Sequence, residues 1–372
     1  MGRCLDEGSN PSISTVMENY LISGIQQIGV GVENFREAWK WYIEMFGMDV
    51  RALEDDTVAE RMLPYTGGKA QKRHACIAIN LQGGGGFEIW QYSERKPLPA
   101  SFPVSAGDLG VFTARIKTRN AAEFRKQLLS KYDKVGELSS LPDGTACFLV
   151  QDPWGNWFQA VEDKSIFIED HKLNGGIVGA MIGSTDIDRV LPLYRDVLGY
   201  DTLVYDKSGS FGDLAGMPGG TGRFRRVLIT HKQERKGALA ALYGHSSIEL
   251  VQALDREPKK LFEGRYWGDP GFIQICFDVT NMRELEKACV AAGYPFTVDS
   301  CPNGERFDMG EASGHFTYVE DPDGTLIELV EAHKLTVLKR PHIYIDMLSR
   351  PREKPFPKFF VRLMGLFRVK FD

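Results

Sequence analysis

Apolar and polar positions along the chain fall into one recurring unit: an apolar strand, a polar cap, an apolar-periodic helix, then three more strands. The segment IQQIGVGVENFREAWKWYIEMFGM near residue 27 and the segment IVGAMIGSTDIDRVLPLYRDVLGY near residue 177 both follow this order. Each passes from strand to a capping residue (Asn34, Asp186), then a helix, and ends at a glycine (Gly47, Gly199). LQGGGGFEIWQ (81–91) matches HSSIELVQ (245–252) as a later strand of the same unit. A second pair, GDLGVFTARIKTRNAAEF (107–124) and GDPGFIQICFDVTNMREL (268–285), aligns without a gap. Both continue through Asn-x-x-Glu capping boxes, Asn120 to Glu123 and Asn281 to Glu284. Both close on hairpins, CFLVQDPWGNWFQAVED (147–163) and FTYVEDPDGTLIELVEA (316–332). Their Asp-Pro-x-Gly turns have a physical cause, since proline presets φ and glycine supplies positive φ.

The repeats divide the chain into modules A (about 20–93), B (about 107–165), C (about 173–254) and D (about 268–333). The expected fold is α+β, with four βαβββ modules paired into two curved eight-stranded sheets and helices outside. Modules A and B are expected to form one domain (19–165), and C and D another (173–335), after a disordered leader at 1–18. The glycine run Gly83–Gly86 lacks the following lysine and helix of a phosphate loop and reads as a hairpin turn.

A basic, aromatic tail, 336–372, ends in KPFPKFFVRLMGLFRVKFD. Such a segment can dock on its own protein, on a partner or on an anionic membrane surface; docking within a homodimer is the simplest reading. The 372 residues are 43% hydrophobic and carry a formal charge of −5, too near neutral to point to nucleic acid. Six cysteines form no CxxC pair, and Cys76, Cys147 and Cys276 sit in apolar runs, so reduced thiols and a cytoplasmic location are expected. No apolar stretch is long enough to span a bilayer.

The order of elements, the helix ending LYRDVLGY and the last strand DPDGTLIELVE resemble the glyoxalase/bleomycin-resistance/dioxygenase (vicinal oxygen chelate) superfamily. The resemblance covers roughly 20–333. It implies paired modules whose sheets curl into a cup, with metal ligands on the first and last strands of each module. The matching positions are Gln27 and Glu88 in A, Thr113 and Gln159 in B, Gly179 and Glu249 in C, and Gln274 and Glu328 in D. Superfamily members include lyases, isomerases, dioxygenases and metal-free binding proteins.

The carboxylates stand out without the resemblance. Glu328 lies in the strand LIELV and Glu249 between Ile248 and Leu250, where burial is costly unless the charge is paired or binds metal. Each either ligates a cation, faces a wet groove, or meets an arginine such as Arg225 or Arg226. Charge counting favours the second domain, where Glu249, Gln274 and Glu328 would hold a divalent ion; Glu88 alone would serve the first. With no histidine at the eight positions, an all-oxygen set favours Mn²⁺ or Mg²⁺, with Zn²⁺ or Fe possible, and departs from the two-histidine iron dioxygenases.

In the D hairpin, placing Glu320 opposite Thr325 puts His315 on the face of Glu328, as a candidate proton shuttle beside it. His245 would lie at a rim. One arginine of Arg225–Arg226, or of the matching Lys72–Arg73, could clamp a substrate carboxylate. The expected activity is that of a glyoxalase-like lyase or isomerase on a small substrate with vicinal oxygens. The alternative is metal-free sequestration of a small molecule, with Trp90 and Trp157 lining the first domain's cup.

Overall fold

The computed structural model describes residues 19–304, 306–308, 312–338 and 343–371. The expected leader, 1–18, lies outside the described residues, as do 339–342 of the tail. All four modules form as read. Module A has strand Leu21–Gly31, helix Phe35–Phe46, and strands Val50–Val58, Lys72–Ile79 and Gly86–Tyr92. Module B has Gly110–Thr118, helix Ala121–Leu129, Ser139–Ser140, Ala146–Gln151 and Trp157–Glu162. Module C has Asn174–Gly183, a helix from Ile187 to Val197 that widens in its second half, Thr202–Gly209, Phe224–Thr230 and Ser247–Ala253. Module D has Gly271–Thr280, helix Met282–Ala291, Val298–Asp299, Ala312–Glu320 and Leu326–Leu338. Within each module the first and last strands run parallel, and the others follow as antiparallel neighbours.

Local chemistry sets the helix starts. Asn34, Asn120 and Asp186 each accept a hydrogen bond from the backbone of the first turn. The capping box expected at Asn281 does not form. Asn281 takes a left-handed conformation, and the Glu331 carboxylate accepts from the backbone N–H groups of Asn281 and Met282 instead. The glycine run does turn, with Gly83 N–H bonded to Asn80 O, but Gly85 then pairs with Ile177 and joins module A to module C.

Two curved sheets result, each with eight strands in line, and two short strands flank the first. Module pairing differs from the expectation. The first strand of A pairs antiparallel with the first strand of D, and that of B with that of C, so the cups are A–D and B–C. Each junction is tight at an equivalent place. A Cβ at Gly31 would lie 2.1 Å from the Asp269 carbonyl oxygen, and one at Gly183 would lie 2.0 Å from that of Asp108. Only glycine admits the chain leading into D on the strand of A, and the chain leading into B on the strand of C.

The linkers fasten this exchange. Arg95, after module A, pairs with buried Asp269, while Arg256, after module C, pairs with buried Asp108 at 2.8 Å. Modules A and B still interlock through their helices. Tyr42 donates to Asp152 in the B turn, and Tyr194 to Asp321 in the D turn, both at 2.9 Å. The helices pack on the sheet faces opposite the cups, in one core shared by all four modules.

Candidate functional site: two cups of opposite charge

In the A–D cup, Gln27, Glu88, Gln274 and Glu328 converge. Strand pairing sets them side by side: Gln27 faces Cys276 across one ladder, Cys276 faces Glu328 across the next, and Gly29 lies between Gln274 and Glu88. A side chain at Gly29 would collide with the Gln274 amide, its Cβ 2.6 Å from Nε2, so that glycine makes room for the cluster. Gln274 Nε2 donates to Glu88 Oε2 at 2.9 Å and lies 3.4 Å from Glu328 Oε2. Gln27 Nε2 is 3.4 Å from both carboxylates. Gln27, Gln274 and Glu328 are buried, and Glu88 keeps some exposure.

Two glutamates share this space with no cationic partner in hydrogen-bond contact among the described residues. Burial, and then repulsion from Glu328, pushes the Glu88 carboxyl up to about 8. Burial also raises Glu328, against hydrogen bonds from Cys276, Tyr318 and the two amides. The pair therefore retains a proton near neutral pH, as two adjoining carboxyls do when both cannot ionise.

The walls are aromatic: Trp90, Tyr92, Trp267 and Tyr318 cluster with Ile273 and Val298. Trp267 donates its indole N–H to Gln274 Oε1 at 3.1 Å. It also lines a groove of about 440 Å³ with Tyr65, Leu261, Phe262, Arg265 and Tyr266. The cluster and the groove thus meet at one indole ring.

The B–C cup is built otherwise. Glu249 is fully buried, but between two guanidinium groups. Arg115 pairs with it, Arg226 Nε donates to it at 2.7 Å, and the Tyr205 hydroxyl donates at 2.6 Å. Arg226 also binds Asp213 at 2.6 Å, and Gln159 bridges Arg115 and Asp213 at 3.0 and 3.1 Å. Burial alone would raise Glu249, yet Arg115 and Arg226 hold it down at about 2. Two arginines and two carboxylates cancel, and the guanidiniums take the place a metal would need.

The proposed triad of Glu249, Gln274 and Glu328 is therefore not brought together. Glu249 lies in the other cup and meets Arg226, one of the arginines named from sequence. Glu88 and Gln27 take its place. Arg115 was missed, although it stands in phase with Thr113 and Lys117, so that two charged groups lie on one face of a strand buried along nearly its whole length. Of the clamp candidates, Arg225 pairs with exposed Asp188 and Asp206, and Arg73 with Asp55. Trp90 lines the A–D cup and Trp157 the B–C cup, not one shared cup.

His315 is also corrected. The D hairpin places Glu320 opposite Leu326, one residue from the expected register, so Tyr318 faces Glu328 and His315 faces Glu331. A one-residue slip turns every side chain to the other face. His315 Nε2 instead meets Asp299 at 2.5 Å. His245 bonds Thr230 at 2.7 Å, away from Glu249.

Among the described residues, no three His, Cys, Asp or Glu side chains are grouped to hold a metal. Any cation in the A–D cup would need amide oxygens beside its two carboxylates. The donor chemistry fits: Gln27 Oε1 is buried with no hydrogen-bond partner, and amide rotation exchanges oxygen for nitrogen. The resulting set of two carboxylates and two amide oxygens suits a hard divalent ion.

Comparison with known proteins agrees with this architecture. The family described as Glyoxalase/Bleomycin resistance protein/Dioxygenase superfamily matches residues 176–329. No curated protein matches the chain. A single-residue variant of glyoxalase I from Zea mays shares the fold with a TM-score of 0.54 and 14% identity, covering 86% of this chain and 97% of that one. A putative dioxygenase from Bacillus subtilis does so with a TM-score of 0.52 and 14% identity, covering 84% and 86%. Residues 176–329 thus match the glyoxalase/bleomycin resistance/dioxygenase superfamily, and the four βαβββ modules and two cups carry the same fold through the rest of the described chain.

Proposed function

We propose that the A–D cup binds one divalent cation through Gln27, Glu88, Gln274 and Glu328, and that the protein is a lyase or isomerase of small substrates with vicinal oxygens. The observation that carries this reading is the pair of glutamates brought together in the cup, whose hydrogen-bond partners among the described residues are amides, a thiol and a phenol. A divalent ion there would neutralise the pair and polarise a substrate carbonyl.

The chain's own residues supply the rest. Glu88, the less buried of the two carboxylates, would be the one a substrate displaces and that then serves as the proton shuttle. Glu328, held by Tyr318, Cys276 and the amides, keeps the geometry while Glu88 exchanges its proton. The aromatic walls limit water, and Trp267, which lines the groove and bonds Gln274, would sit beside a substrate bound there. Iron-dioxygenase chemistry fits poorly, because none of the four positions is a histidine.

Metal-free sequestration keeps one observation in its favour: the amides donate to both carboxylates, which partly satisfies the cluster without a cation. Titration with Mn²⁺ and proton exchange on a panel of 2-hydroxy and 2-oxo acids separate the readings. Glu328→Gln should weaken Mn²⁺ binding by about 10–100-fold and abolish exchange. No binding by the parent at millimolar Mn²⁺ would reject the enzyme reading in favour of sequestration.

A further inference from the structure

The tail that follows module D packs back on the protein, yet leaves a second apolar face uncovered. Its inner face is seated: Phe356 and Val361 join a cluster with Val50, Leu81, Phe167 and Leu242, and Arg368 binds Asp49 and Asp170. The helix Lys358–Leu363 and the turn Met364–Phe367 then show the opposite stripe to solvent. Phe359, Phe360, Leu363, Leu366 and Phe367 are all exposed, Leu366 at 79%. Their three- and four-residue spacing places them along one side of a helical path. Folding of the chain explains the inner face only; it gives no reason for five large apolar side chains on the outer one.

Charge identifies what the outer face suits. Residues 350–371 hold seven basic side chains and one acidic, Glu353, for a net +6. The whole chain is −5, so the remainder carries −11. Lys354, Lys358, Arg362 and Lys370 are exposed around the apolar stripe. A second copy docked on the same patch would set these four exposed cations against their own copies, which opposes an isologous dimer. An anionic lipid surface offers both requirements at once: acyl chains for the phenylalanines and leucines, and acidic headgroups for the basic flanks.

We propose that residues 354–371 form a peripheral membrane-docking surface for anionic lipid, carried at the outside of the A–D and B–C scaffold and independent of either cup. The test is co-sedimentation of the full chain with phosphatidylcholine vesicles, with and without about a third phosphatidylserine. Binding is expected to the mixed vesicles, to weaken with added salt, and to fall about tenfold or more in F359E/L366E. Both positions are exposed, so circular dichroism and thermal unfolding should match the parent and separate lost docking from lost folding. Charge reversal at Arg362 should weaken binding with the apolar stripe intact. The proposal is overturned if the parent ignores phosphatidylserine vesicles. It is also overturned if light scattering shows a dimer in solution that F359E/L366E dissolves, since the stripe then belongs to a second copy.

Discussion

In the A–D cup the first and last strands present Gln27, Glu88, Gln274 and Glu328; in the B–C cup the corresponding positions carry Thr113, Gln159, Gly179 and Glu249. Both cups arise from the same strand order, and both bury a last-strand glutamate from the later half of the chain. Their electrostatics diverge because of Arg115 and Arg226. Those two groups, with Asp213, turn the B–C cup into a closed, neutral ion network with about as much positive as negative charge. Among the described residues the A–D cup has no guanidinium in contact with its glutamates, Arg73 acting on Glu88 only at longer range, and the pair holds a proton between them instead. One cup has become structural polar core. The other keeps the unmet charge that a ligand or cation can answer. The same glutamate position is thus a brace in one half and a candidate reactive group in the other.

Stability should break along that line first. Glu249→Ala strips the central carboxylate from a buried network, leaving Arg115 without its anion and Arg226 with Asp213 alone, so a loss of about 3–5 kcal/mol is expected in urea unfolding. Glu328→Gln, without added metal, removes a buried carboxyl next to Glu88 and should leave stability equal or higher. Equal losses in the two variants would mean that the cups are alike.

The pH dependence should differ in sign as well. Glu88 titrates in the folded protein near 8 rather than its ordinary 4.5, so its contribution is fully present below about 4.5 and is lost as pH rises through about 8. Glu249 is held down near 2; its contribution is present above about 4.5 and fades as pH falls toward 2. Without added cation, Glu88→Gln should flatten the stability profile between pH 4.5 and 8, and Glu249→Gln should flatten its acid limb. Chemical unfolding at a series of pH values reads both slopes; an unchanged alkaline slope in Glu88→Gln would remove the shared-proton account.

Much of this was legible in the residues. The four modules follow from periodicity, caps and the Asp-Pro-x-Gly turns, because those signals are local and period-bound. Which modules share a sheet is not local. All four first strands read alike, the glycines at the two junctions are equivalent, and what distinguishes the observed exchange is Arg95 and Arg256 reaching across to Asp269 and Asp108. Once the pairing is A–D, Glu88 and Gln27 replace Glu249 beside Gln274 and Glu328. The displacement of His315 has a smaller cause. The Asp321 carboxylate accepts from the N–H groups of Asp323 and Thr325, so Thr325 belongs to the turn rather than the ladder. Strand pairing begins one residue later, and the histidine changes faces. Arg115 did carry a signal, as a charged residue alternating with Thr113 and Lys117 on an apolar-rich strand.

The central claim is that one cup, and not the other, is a cation site. Metal stoichiometry by native mass spectrometry after equilibration with Mn²⁺ tests it most directly. The account predicts one ion per chain in the parent, one in Arg225→Gln as a surface control, and none in E88Q/E328Q, all three folded by circular dichroism. Two ions per chain in the parent, or one retained in E88Q/E328Q, would contradict it.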